Sequence, residues 1–190
     1  MAQERKIIAV SGDAGSFSEE AGLLYASREA LEPQLVYAID MEGVLAAVDN
    51  GHCDLGIFPV VNSRGGLVQT AFEAMGRHSF RLVGELWLEV QQCLLARRGV
   101  LRAEIKKIAS HPQAISQCER YLAREFLGIA LEEWEDTAKA ARDLSTGVLD
   151  PSAAVIAPAR SAALYDLDIL ERGIQDSRPN LTTFIIVTRA

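Results

Sequence analysis

Strand-length apolar runs alternate with helical patterns along most of the chain, and this alternation leaves few folds open to it. "KIIAV" reads as a buried strand, "SFSEEAGLLYASREA" as a helix and "QLVYAI" as a strand; "MEGVLAAVDNG" follows as a helix and "DLGIFPVV" as a strand. A helical stretch around Val68 to Met75 leads into "FRLVGELWLEVQQCLLARR", strand-like throughout, with no helix between its apolar halves. The alternation then resumes, with strands at "IKKIAS", "ALEEWE" and "AAVIA" and helices at "PQAISQCERYLAREF", "TAKAARDLS" and "ARSAALYD". Such a pattern predicts an α/β protein of parallel sheets covered by helices. The interruption near residues 78–98 predicts two α/β lobes joined by extended segments. Lobe one spans about 5–77, lobe two about 85–160, and a C-terminal segment about 166–190.

Composition narrows the function. With 190 residues and 49% hydrophobic content the chain can bury a core as one domain or two small lobes. Its apolar stretches are strand-sized and "MAQERKIIAV" lacks a signal-like apolar run, so no membrane association and a cytoplasmic location are expected. A net charge of −7 speaks against nucleic acid, which calls for clustered Lys and Arg, and leaves a small molecule as the expected partner. Cys53, Cys93 and Cys118 show no CxxC spacing, which argues against a disulfide framework or a thiolate metal site. His52, His78 and His111 lack ligand spacing; surface or capping roles are expected for them, and no metal. Cys118 lies at apolar spacing with Ile115 and Leu122, as a buried core thiol would. Trp87 and Trp134 are expected to pack in lobe two, and "LEEWED" to be a solvated strand edge with Glu135 as the exception.

In open α/β sheets ligands bind beyond the carboxyl ends of the strands, where helix N-termini point unpaired N–H groups. Two stretches are built that way. "VSGDAGSFSEE" offers Gly12 and Gly15 for a close bend, then Ser16 and Glu19 at capping-box spacing. "IASHPQAISQC" offers Ser110 or His111 as a cap, Pro112 as the first helical residue, and Gln113 and Gln117 four apart on one face. Each is either an anion seat or simply a well-made helix start. "SGDAGS" with Asp40 after the next strand lacks both the G-x-G-x-x-G spacing and a Walker lysine, so a nucleotide cofactor is discounted. Near the C-terminus, Thr182 and Thr183 stand before "FIIV", where β-branched residues suit the start of a strand and a hydroxyl would suit the lip of a cleft.

"GDAGSFSEEAG", "AVDNGHCDLGIFPVVNS", "IASHPQAISQCERYL", "DTAKAA", "AAVIAPARSAALYDLDILERGIQD" and "NLTTF" occur in the order and spacing of prephenate dehydratases. From Ile7 to Val187 the chain resembles their catalytic domain, without the C-terminal ACT domain that senses phenylalanine in most members. The resemblance implies two α/β lobes of periplasmic-binding-protein-like (type II) architecture with the active site in the cleft between them and the segment at about 166–190 returning across it, no cofactor, a homodimer, and conversion of the small anion prephenate to phenylpyruvate with loss of CO₂ and water. It makes Thr182 the catalytic residue. Asn62, Ser110, Gln117 and Glu135 match polar positions of the family's cleft; Ser63, Gln113, Ser16, Phe17, Thr183 and Phe184 fall in the same motifs, and all are expected to bind substrate. Several positions depart from the family pattern. Thr183 replaces an arginine, Val61 and Gly65 replace glutamates, Leu67 replaces a serine, and Gln91-Gln92 stand where the family has a histidine-containing stretch. Arg64, followed by Gly65 and Gly66, is then the candidate to meet a substrate carboxylate. The alternatives are a decarboxylase acting on a related cyclohexadienyl substrate such as arogenate, or a non-catalytic metabolite-binding protein on the same fold.

Overall fold

The structure, a computed structural model, describes residues 4–190. In chain order its elements are β1 (Glu4–Ser11), α1 (Phe17–Arg28), β2 (Leu31–Ala38), α2 (Met41–Asp49), β3 (Leu55–Asn62), the short β4 (Gly66–Leu67), α3 (Gln69–Met75) and β5 (Phe80–Glu89). Then come β6 (Cys93–Arg97), β7 (Lys107–Ser110), α4 (Pro112–Ser116), α5 (Glu119–Glu125), β8 (Ala130–Glu133), α6 (Thr137–Thr146), β9 (Ala153–Ala157), α7 (Ala159–Tyr165), β10 (Leu167–Arg172) and β11 (Leu181–Arg189). Among the described residues no helix is long and apolar enough to cross a membrane.

The chain divides into two compact units. The first comprises residues 4–13, Phe17–Glu89 and Asn180–Ala190, and holds a six-stranded sheet in the order β2-β1-β3-β11-β5, with β4 paired to β3. Side chains alternate across a strand, and the sheet uses both faces. Ile8, Val10, Ile57, Leu86, Phe184 and Ile186 pack with α1 on one side, while Ala9, Phe58 and Val187 pack with α2 and α3 on the other. Gly56 lets α2 approach the backbone of β3, since a Cβ there would stand 2.8 Å from a methyl of Val44 and 2.8 Å from one of Val48. Asp40, discounted as a nucleotide ligand, caps α2 by accepting from the Gly43 N–H.

The second unit comprises Ala14–Ser16 and Val90–Pro179, around a five-stranded sheet in the order β10-β6-β9-β7-β8. Its central strand β9 is buried along its whole length. Leu95, Val155 and Ala140 pack on one face with α6, while Leu94, Ile108, Ile156 and Leu122 pack on the other with α5.

Three expectations need correction. The sheets are mixed, because β11 runs antiparallel to β3 and β5, and β6 runs antiparallel to β9 and β10. Strands that run parallel are joined through helical crossovers, as α3 lies between β3 and β5 and α7 between β9 and β10; the two reversed strands, β6 and β11, are each entered from the other sheet with no helix before them. The helix expected over "PQAISQCERYLAREF" is two helices broken at Gln117-Cys118. Here the carboxylate of Asp176 accepts from the N–H groups of Arg120 and Tyr121 and starts a second helix. Trp87 belongs to the first unit's sheet, where β5 leaves it 56% exposed, whereas Trp134 packs in the second unit as expected.

Candidate active site

Thr182 and Asn62 face each other across the antiparallel β3–β11 pair of the first unit. Asn62 Nδ2 donates to Thr182 Oγ1 at 2.8 Å and to Asn180 Oδ1 at 2.8 Å, and both Asn62 and Thr182 are buried. The orientation of the Asn62 amide is set by its backbone neighbours. Its Oδ1 accepts from the N–H groups of Arg64 and Gly65, at 2.8 and 2.7 Å, an Asx turn that leaves only the NH₂ to face the threonine. Thr182 Oγ1 is thereby an acceptor, and its own proton remains to be given away. A hydroxyl that accepts one hydrogen bond is polarised into a better donor.

Ser63 serves this geometry through the backbone. Its N–H donates to the Leu181 carbonyl and its Oγ accepts from the Leu181 N–H, which locks the strand just before Thr182. Arg64 is exposed on the same turn. Thr183 is buried on the alternate face, opposite Val61 and Trp87, and Phe184 lies in the apolar core with Ile8 and Ile186. Phe17 opens α1 and packs against that same core.

The remaining expected residues lie in the second unit. Ser110 is fully buried and its hydroxyl donates to the Ile156 carbonyl at 2.6 Å, tying β7 across β9. His111, not Ser110, caps α4, its Nδ1 accepting from the Gln113 N–H at 3.2 Å, with Pro112 next as expected. Gln113 is exposed, and Gln117 ends the helix with its Oε1 accepting from Gln92 Nε2. Ser16 is buried, in a loop whose carbonyls at Ala14 and Gly15 accept from Tyr165 and Ser161 of α7. Both glycines of that loop take positive φ, Gly12 at 85° and Gly15 at 87°. The Glu135 side chain is 79% exposed and pairs with Lys139. Cys118 is a core thiol whose pKa burial pushes up to about 12, the wrong direction for a nucleophile. His78 departs from its expected surface role, lying between Glu42 and Asp49 of α2.

The structure therefore brings Asn62, Ser63, Arg64 and Thr182 together, and it adds Asn180, which sequence reading passed over although it opens the "NLT" of the terminal motif. Within the second unit Gln117 meets Gln92, whose backbone N–H donates to Gln175; the sequence signals for the latter two were a motif departure and a place in "IQD".

Comparison with known proteins bears on this arrangement. Residues 8–190 match the family model described as prephenate dehydratase. The chain is 38% identical over 183 residues to arogenate dehydratase 1 of Petunia hybrida, covering 96% of this chain and 42% of that protein. It thus spans less than half the length of that curated relative. Among solved structures it is similar to the prephenate dehydratase from Arthrobacter aurescens in complex with L-Phe, at 25% identity and a TM-score of 0.85, covering 97% of this chain and 60% of that one. It is also similar to GqqA, described as a novel type of quorum quenching acylase, at 28% identity and a TM-score of 0.80, covering 97% and 64%. A periplasmic substrate-binding protein of an ABC transporter from Coxiella burnetii shares the fold alone, at 15% identity and a TM-score of 0.53, over 98% and 85% of the two chains.

Proposed function

This chain belongs to the prephenate dehydratase family, and from that premise we propose that it is a decarboxylating dehydratase of prephenate-type cyclohexadienyl acids, in its simplest form taking prephenate to phenylpyruvate on the route to phenylalanine. The observation that carries this reading is the Thr182 hydroxyl, buried and held at 2.8 Å by an amide whose own orientation is fixed by backbone N–H groups.

The chemistry asks little of the protein. The bond from the ring to its carboxylate breaks and CO₂ leaves. Its electron pair moves through the ring, the carbon–oxygen bond at the far position breaks, and the departing hydroxide takes a proton from solvent to become water. Aromatisation drives the reaction. What needs help is negative charge growing on the leaving oxygen, and a positioned donor stabilises it there more than in the ground state. Thr182 is too weak an acid to surrender its proton outright. As a donor already accepting from Asn62 it needs no reorganisation when the charge develops.

Arg64 supplies a guanidinium on the Asx turn that positions Asn62, and in this reading it meets a substrate carboxylate. Gln113 and Gln117, with Ser16, Ser110 and Glu135, belong to the same proposal on the strength of the family motifs in which they stand. So does a homodimer, supported by the exposed apolar Leu82, Val83 and Trp87 on the edge strand β5. A monomer by light scattering would remove it.

The test is direct. Prephenate incubated with the purified protein should give phenylpyruvate, read by its absorbance, and Arg64→Ala should raise KM about tenfold, as loss of a charge-assisted hydrogen bond does. Ligand-induced thermal stabilisation without product over hours would instead identify a binding protein.

A further inference from the structure

Asn180 and Thr182 stand two residues apart where β11 begins, a spacing that leaves their side chains on the same side of an extended chain. Asn62, the last residue of β3, lies directly opposite Thr182 and diagonally from Asn180, within reach of both. All three belong to the first unit. Asn62 Nδ2 donates to each of the other two side chains at 2.8 Å, so both protons of one amide group are taken. Asn180 is 1% exposed, and its place is fixed by its neighbour: the Leu181 carbonyl accepts from the Ser63 N–H, and the Leu181 N–H donates to the Ser63 hydroxyl.

The N–H groups of Arg64 and Gly65 hold the oxygen end of the Asn62 amide. An amide held at one end still swings the other. The bond to Asn180 Oδ1 fixes the NH₂ end in the plane that carries its second proton onto Thr182 Oγ1. The two N–H bonds of a planar NH₂ group diverge by about 120°, which sets their acceptors about 5 Å apart. At that separation Thr182 cannot give its proton to Asn180 Oδ1, and the proton stays available to another acceptor. A hydroxyl with no donor on its oxygen would have to reorient before it could meet developing charge, and preorganisation removes that step.

We propose that Asn180 is a positioning residue of the reaction: it takes one Asn62 proton so that the other is delivered to Thr182 Oγ1, leaving the Thr182 proton for the oxygen that departs. This rests on the dehydratase reading above and adds a residue to it. Asn180 touches no reacting atom and acts only through Asn62 and Thr182.

A double-mutant cycle on the full chain separates this role from a structural one. Asn180→Leu fills a similar volume without an acceptor and should lower kcat for prephenate about tenfold, as loss of one hydrogen bond does, with KM within about twofold. In the Thr182→Val background, which has no hydroxyl to position, the same change should cost less than about twofold. Equal falls in both backgrounds, or an unchanged kcat in the first, would overturn the proposal. A second measurement needs no turnover. The two Asn62 amide protons, identified in NMR spectra by their loss in Asn62→Asp, should exchange slowly with solvent in the unaltered protein. In Asn180→Leu the proton facing Thr182 should exchange at least about tenfold faster, while Asn180→Asp, which keeps an oxygen in place, should retain slow exchange. Unchanged exchange in the leucine variant rules the positioning out, and so does fast exchange in the aspartate variant, even where the leucine variant does not fold. Prephenate left unconverted while this exchange pattern holds would count against the dehydratase reading alone.

Discussion

Asn62 and Thr182, 120 residues apart in sequence, are neighbours across a strand pair, and the amide of the first donates to the hydroxyl of the second at 2.8 Å. The donor is anchored from behind by two backbone N–H groups, so the threonine is positioned by the fold and not by its own rotamer preference.

Thr182→Val keeps the β-branched shape and removes the donor. We expect kcat to fall by about 10²–10³ with substrate affinity nearly unchanged, the loss seen when one donor to a developing oxyanion is deleted. Thr182→Ser should recover much of the rate. Equal kcat for the valine and unaltered proteins in a stopped assay would remove Thr182 from the chemistry.

Asp176 caps α5 from a distant segment, accepting from the N–H groups of Arg120 and Tyr121 at 2.9 and 3.1 Å. Asp176→Ala should lower stability by about 1–2 kcal/mol, the range for losing a helix cap, measured by urea unfolding. A midpoint shift too small to resolve would show that the helix start is held by other contacts.

Gly56 lies under α2 with no room for a methyl group. Gly56→Ala should destabilise by about 1–3 kcal/mol through overpacking against Val44 and Val48. Gly66, where an added Cβ meets nothing within 4 Å but φ is +75°, separates backbone strain from crowding. Its alanine variant should cost less than the one at Gly56, and the reverse order in thermal melts would contradict the packing account.

His78 lies against α2, its Nε2 2.6 Å from Glu42 Oε1 and its Nδ1 3.5 Å from Asp49 Oδ2. The hydrogen bond to Glu42 is the main cause raising the imidazole above its ordinary pKa, and the bonds to His78 and Arg77 lower that of Glu42. A raised folded-state pKa contributes stability in full below the unfolded value and loses it as pH rises through the folded one. The lowered carboxylate contributes above its own unfolded value and loses that as pH falls. His78→Asn should therefore show its largest Tm deficit in mildly acidic solution, about pH 6, and a smaller one by about pH 8.5. Scanning calorimetry giving the same deficit at both pH values would disprove the linkage.

The order of strands and helices was legible because period-two and period-3.6 patterns act locally, as in β1 and α2. Strand direction was not, because β11 acquires its antiparallel neighbours from segments more than 90 residues upstream. The break at Gln117 was hidden for the same reason, since the carboxylate that starts α5 lies 56 residues away from Arg120. At the site, Thr182 and Asn62 were found through a resemblance. The turn that orients Asn62 and the contact with Asn180 needed coordinates.

Strand β11 lies between β3 and β5 in the first unit's sheet, yet it is the last of the three to leave the ribosome. Until residues 181–189 emerge, β3 and β5 each present a row of unmatched N–H and C=O groups to other nascent chains, a template for wrong pairing. Thr182 arrives on that same strand. A product truncated anywhere before it is at once sticky and without its hydroxyl, so one stretch of chain closes the sheet and supplies its donor together.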